Sequence, residues 1–220
     1  SSDLDLSDPS CLAAWSAFLL AFFLMARKSN LVPPSLHKFD LSKHLVRGNL
    51  VIWRLGSLVS LTWSKTNQFG SRVLQIPLPR IPNSPLCPVW AFENLVQLCP
   101  AGSDSPAFTY QIKPKLASLT EYKFVRILRH YLKIAGFQAS SFSGHSFRRG
   151  GATFAFQVGV PGELVKLHGD WALDACLEYL DFPLQARWEM GSKMRDLVLN
   201  CKSSVLWEVA KVTVNQAFSR

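Results

Sequence analysis

Residues 141–154 read SFSGHSFRRGGATF, which sets His145, Arg148 and Arg149 beside a pair of glycines. On a helix, side chains three apart share a face, so His145 and Arg148 would point the same way. Two chemistries suit such a pair. One is the solvated basic end of a helix. The other is convergence on a phosphate, for which a planar, permanently charged guanidinium offers two parallel donors. Four further features bear on the choice. Arg27, in MARKSNL, emerges directly from a long apolar run, and Lys65 stands in the turn-like TWSKTNQFG. His168 to Trp171 spell HGDW, and Tyr179 follows eight residues after Trp171.

Side chains spread over 150 positions converge only on a well-built scaffold. The chain has 220 residues, 48% of them hydrophobic, with seven tryptophans and fifteen phenylalanines. That is enough to bury a substantial core, and it fits one domain. A net charge of +9 on a folded domain points to a polyanionic partner, nucleic acid or an anionic membrane surface. The five cysteines, Cys11, Cys87, Cys99, Cys176 and Cys201, are odd in number and far apart. This argues against a disulfide framework or a structural zinc and suits a reducing interior. CLAAWSAFLLAFFLMA, residues 11–26, is shorter than the roughly 20 residues a membrane span needs. It reads as a helix buried nearly all round, starting at Asp8-Pro9-Ser10 and running to about Ser29.

The remaining pattern predicts a mainly α fold with a small three-stranded antiparallel β-sheet (α+β). Residues 49–78 contain three short β-branched runs (NLVIWRL, LVSLTWSK, RVLQIPL) separated by Gly56 and a TNQFGS turn, which suits a meander. Residues 79–88 hold four prolines and form a loop, followed by a short helix over 89–98 and a second loop over 100–106. Helices are expected over 119–134 (ended by Gly136), 145–158 (closed by Gly159), from Pro161 to near Gly169, 171–180 and 204–218. On the helix of residues 171–180, Ala172, Ala175, Cys176 and Tyr179 share one face, so the tyrosine is framed by small residues that leave room for a bulky phosphate and sugar.

The order Arg27, turn Lys65, His145-x-x-Arg148, His168 or Trp171, then Tyr179 resembles the catalytic domain of the tyrosine recombinases, the phage-integrase family, over about residues 10–185. The wording HSFRRGGATF, LVKLHGDW and YL is most similar to recombinases of eukaryotic mobile elements of the Crypton or DIRS type. The resemblance implies the integrase catalytic-domain fold and a site-specific DNA recombinase or transposase, acting in the nucleus without metal, cofactor or ATP. By resemblance Tyr179 is the nucleophile that forms a 3′-phosphotyrosine. Arg27 and Arg148 hold the non-bridging oxygens, Lys65 protonates the departing 5′ oxygen, His145 hydrogen-bonds the phosphate and assists proton transfer, and Trp171 packs and donates through its indole. His168 and Asp170 are alternates for the Trp171 role, since the family register falls on Asp170.

Arg149, Lys123 and Arg126 are candidate DNA contacts, within a basic set that includes Lys113, Lys115, Arg129 and Lys133 and that equally suits a solvated helix face. The expected partner is double-stranded DNA, bound by a homo-oligomer of two to four subunits with no membrane involved. Residues 1–220 would form one catalytic domain without the family's N-terminal core-binding domain; the apolar stripe of residues 204–218 suits packing on its own domain, and the resemblance implies docking on a neighbouring protomer. Asn30 stands where the family usually has a carboxylate beside the first arginine. Two other readings remain open: a catalytically decayed DNA-binding descendant, and a type IB topoisomerase.

Overall fold

The computed structural model describes residues 5–63, 73–112, 114–171 and 184–200. The first helix, α1 (Pro9–Phe23), is the centre of the core. It starts where its sequence dictates: Asp8 accepts from the backbone N–H groups of Ser10 (2.8 Å) and Cys11 (2.9 Å), and Pro9 takes a position whose N–H would have no helical partner. Ala13, Ala14, Ala17 and Ala21 are fully buried. Three helices pack around α1: α3 (Pro88–Leu98), α4 (Glu121–Ile134) and α5 (Gly144–Gln157). Phe18 stacks on Phe147 of α5 at 5.0 Å and meets the edge of Phe124 of α4 at 4.9 Å, which locks the three helices together.

Strands β1 (Leu50–Trp53), β2 (Gly56–Leu61) and β3 (Leu74–Pro79) form the expected antiparallel meander, with Leu50 opposite Val59 and Val59 opposite Ile76. β3 carries Pro77 and Pro79, which an edge strand tolerates. Its neighbour is helix α7 (Leu184–Asn200), where Gly191 leaves room that a side chain would contest with Pro79. The sequence reading did not anticipate α7, nor a second hairpin, β4 (Thr109–Ile112) with β5 (Lys115–Ser118), which packs against α1. Between α5 and α7 lies the short α6 (Gly162–His168). Lys65, Lys113, the proposed tyrosine helix beyond Trp171 and residues 204–218 lie outside the described residues. Among those described, no helix is long and apolar enough to cross a membrane.

Four helices end in the same way. At the end of α1, α4, α5 and α6 the chain closes with paired backbone bonds and one left-handed residue, respectively Met25, Gly136, Gly159 and Asp170. Gly136 and Gly159 adopt that conformation freely. Met25 (φ 49°) and Asp170 (φ 52°) do not, and each stores on the order of 1–3 kcal/mol of strain. The buried helix therefore stops at Phe23, six residues before the expected Ser29, and the chain turns through Met25 before a single turn of helix, α2 (Lys28–Leu31). The left-handed position after α6 likewise falls on Asp170 instead of Gly169. Both strained turns border the site described next.

Candidate functional site

The C-terminal end of α1 exposes carbonyl groups that the helix itself cannot satisfy. Two candidate residues satisfy them. Arg148 donates from Nη1 to the Met25 carbonyl at 2.5 Å, and His168 donates from Nε2 to the Phe23 carbonyl at 2.9 Å. The Met25 turn therefore does two things. It aims its carbonyl at α5, and it delivers the chain to Arg27 immediately afterwards.

Arg148 sits on a helix held close to α1. Ser143 caps α5 through the His145 N–H, and the Ser146 hydroxyl accepts in return from the Ser143 N–H. One turn beyond Arg148, a Cβ at Gly151 would run into the Phe22 carbonyl oxygen, so only glycine allows this approach. Arg148 is 5% exposed. Burial, followed by the nearby positive charge of Arg27, pulls its pKa down to about 10, and Asp170 opposes the shift. Its Nη2 has no hydrogen-bond partner among the described residues. A buried guanidinium still charged at neutral pH, with a second guanidinium near it and an unspent donor, has the chemistry to receive an anion.

Trp171 follows the turn that closes α6. The Arg148 guanidinium lies over its ring at 3.8 Å, a cation–π stack that fixes the plane of the fork. Gly169 makes this possible by its lack of a side chain, because a Cβ there would overlap the indole. Stacking on the arginine, a contact the sequence reading did not foresee, is what the structure shows for this tryptophan. The Asp170 carboxylate is buried near enough to Arg148 to support its charge. His168 is fully buried at the α1 terminus, with its pKa pulled down to about 3 by burial, against the Phe23 hydrogen bond and with the added repulsion of Arg187.

The sign of that shift yields a measurable effect. The unfolded chain takes up a proton near pH 6.5 that the folded chain refuses until about pH 3, so His168 subtracts stability as pH falls below 6.5. Between pH 7 and pH 5 the loss from this group is about 2 kcal/mol. Denaturant unfolding at the two pH values should show a shallower loss in His168→Gln, which keeps a donor for Phe23 and does not titrate. An equal loss in both proteins would exclude His168 as the origin.

His145 is exposed at the start of α5, three residues before Arg148 on the same face. Arg149 and Arg126 are exposed as well. Lys123, one of the expected DNA contacts, is half-buried and donates to the Tyr110 hydroxyl at 3.0 Å. Asn30 ties the chain elsewhere. It is buried, and its side-chain amide donates to the Trp63 carbonyl at 2.6 Å, tying the α2 turn to the chain just past β2. Sequence reasoning missed that tie and the Met25 turn. A left-handed methionine carries no signal in a sequence, whereas the asparagine departure from the family pattern did mark its position. Lys65 and Tyr179 lie outside the described residues, so four of the six expected catalytic positions, Arg27, His145, Arg148 and Trp171, are located by the structure. Among the described residues no cluster of metal-binding side chains occurs.

No protein-family model matches the chain, and no curated protein matches it. Among solved structures it is similar to a Flpe mutant–DNA Holliday junction complex, with 12% identity, a TM-score of 0.52, and coverage of 84% of this chain and 45% of that one. It is similar to the FLP recombinase–Holliday junction complex I with 13% identity, the same TM-score and the same coverage. The chain thus spans less than half the length of those proteins. At such identity the likeness is one of architecture, and the fold of this chain is the α+β fold of the FLP recombinase catalytic domain.

Proposed function

We propose that this chain cuts and rejoins DNA strands through a 3′-phosphotyrosine, as a site-specific recombinase or transposase. The observation that carries the reading is the buried Arg148 guanidinium, its Nη2 unspent, beside Arg27 at the end of α1. Two guanidinium groups supply fixed positive charge for the non-bridging oxygens of a phosphodiester, where negative charge grows as the phosphorus becomes five-coordinate. Met25, Asp170 and the Trp171 ring hold Arg148 in place beforehand, so no reorganisation is needed at the moment of reaction.

In the proposed reaction the Tyr179 oxygen bonds to the scissile phosphorus as the bond to the 5′ oxygen breaks. Lys65 gives its proton to that departing oxygen, and His145 receives the phenol proton. A 5′ hydroxyl of the partner strand reverses the step, and the ester conserves the bond energy. The proposal takes double-stranded DNA as the substrate, bound by a homo-oligomer of two to four subunits, in a nuclear mobile element of the Crypton or DIRS type.

The test is covalent trapping on a nicked duplex followed by peptide mapping. Because the chain's target sequence is open, a pool of random duplexes serves as substrate. The expected result is a detergent-stable adduct on the peptide carrying Tyr179. Salt-dependent binding with no adduct on any member of the pool would favour the decayed DNA-binding protein, and relaxation of a generic supercoiled plasmid would favour the topoisomerase. An adduct on another residue would overturn the assignment of the nucleophile.

A further inference from the structure

Lys28, Glu121, Tyr122, Val125, Arg126 and Arg129 line an open groove of about 510 Å³ between α2 and α4. Three of the six are cations and one is an acid. Two contacts tie the groove to the elements of the arginine site. Lys28 is covalently next to Arg27, and its stem lies across Gly144, the residue before His145, so closely that a Cβ on Gly144 would collide with it. Arg129 joins the groove wall to the segment leading into α5, donating from Nε to the Phe142 carbonyl at 3.3 Å. Arg126 rests over the ring of the exposed Tyr122, 5.8 Å from its centre. Glu121 pairs with Lys28 and is held at the start of α4, where its own N–H donates to the Pro33 carbonyl at 2.9 Å.

We infer that this groove holds a second backbone phosphate of the DNA whose scissile phosphate sits at Arg27 and Arg148, and that Glu121 occupies Lys28 until the phosphate displaces it. The inference rests on the DNA-cutting reading but concerns binding, not bond breakage. Its chemistry is that of a polyanion on arginine and lysine with counterions released. A carboxylate amid three cations is an internal competitor for that polyanion, because it neutralises one of them in the free protein and repels the incoming phosphate. The exposed Tyr122 ring gives Arg126 an apolar surface to lie on, which restricts the guanidinium before DNA arrives.

The experiment is a salt titration of binding to a generic duplex by the full chain, with wild type, Arg126→Gln, Glu121→Gln, Lys28→Met and the double variant of the last two. Thermal melting without DNA checks that each folds. Arg126→Gln should reduce the slope of log K against log salt by about one. Glu121→Gln should tighten binding several-fold at low salt, and most of that gain should vanish in the double variant, since the freed lysine is what produces it. An unchanged slope in Arg126→Gln, or a Glu121→Gln gain that persists without Lys28, overturns the inference. If Arg126→Gln fails to fold, Arg129→Gln reads the same slope. A wild type that binds no duplex overturns both readings. Altered slopes without any covalent adduct would leave this groove standing and remove the strand-cutting function, and an adduct with unaltered slopes would do the reverse.

Discussion

Arg148→Lys should lower the single-turnover rate of covalent adduct formation by about 10²–10³-fold, close to the loss expected for Arg148→Ala. Conserving the charge does not rescue the site, because the structure uses the shape of the guanidinium. One nitrogen is committed to the Met25 carbonyl at 2.5 Å, the plane is stacked on Trp171 at 3.8 Å, and a second nitrogen is left for the substrate. An ammonium can satisfy the carbonyl or the phosphate but has no plane to stack and no fork to present. Non-covalent binding to duplex should weaken far less, since it sums over many phosphate contacts. Adduct formation within threefold of wild type in a folded Arg148→Lys protein would remove Arg148 from the chemistry.

The second large effect concerns stability. Gly151→Ala places a methyl group against the Phe22 carbonyl oxygen, in main chain on both sides of the contact. Helix propensity favours alanine by about 1 kcal/mol. Overpacking against rigid backbone costs about 3 kcal/mol, so sterics win by about 2 kcal/mol. For a domain of this size the melting temperature should drop by roughly 4–8 °C. Gly150 supplies the control. A Cβ there would meet only the Phe22 ring, at an ordinary 3.6 Å, so Gly150→Ala should be neutral or stabilising by up to about 1 kcal/mol. If the two variants melt together, the close approach of α5 to α1 is not what the glycine provides.

Much of the scaffold was legible because it depends on local signals. Asp8-Pro9 announced α1, Gly136 and Gly159 announced the ends of α4 and α5, and alternation announced the meander. The sequence misled where tertiary contacts override such signals. The apolar run predicts a helix to about Ser29, yet the chain turns at Met25, a residue with no preference for left-handed backbone that is held there by complete burial and by what its carbonyl binds. Residues 109–118 carried no strand assignment, yet they form a hairpin in which Pro114 lies beyond the last ladder pair, Ile112 with Lys115, and so removes no ladder bond. In α7, Gly191 interrupts the apolar pattern for the sake of contact with Pro79. Within the site, residue types and order singled out Arg27 and Arg148 as candidates because guanidinium chemistry has few substitutes, and the structure brings their charges near each other. The roles of His168, as a cap, and Trp171, as a platform, depend on neighbours over a hundred positions away or on a ring lying over a glycine, which spacing alone does not convey.

The capping of α1 by Arg148 and His168 bears on how such a chain would change over evolutionary time if the proposed strand cutting ceased to be selected. Those two side chains would be retained, because losing either orphans a buried carbonyl at the centre of the core. His145, exposed and tied to nothing deep, would be free to drift. Under the proposed function, an intact arginine among relatives would therefore attest a sound architecture, and the histidine three positions earlier would be the more sensitive marker of a working enzyme.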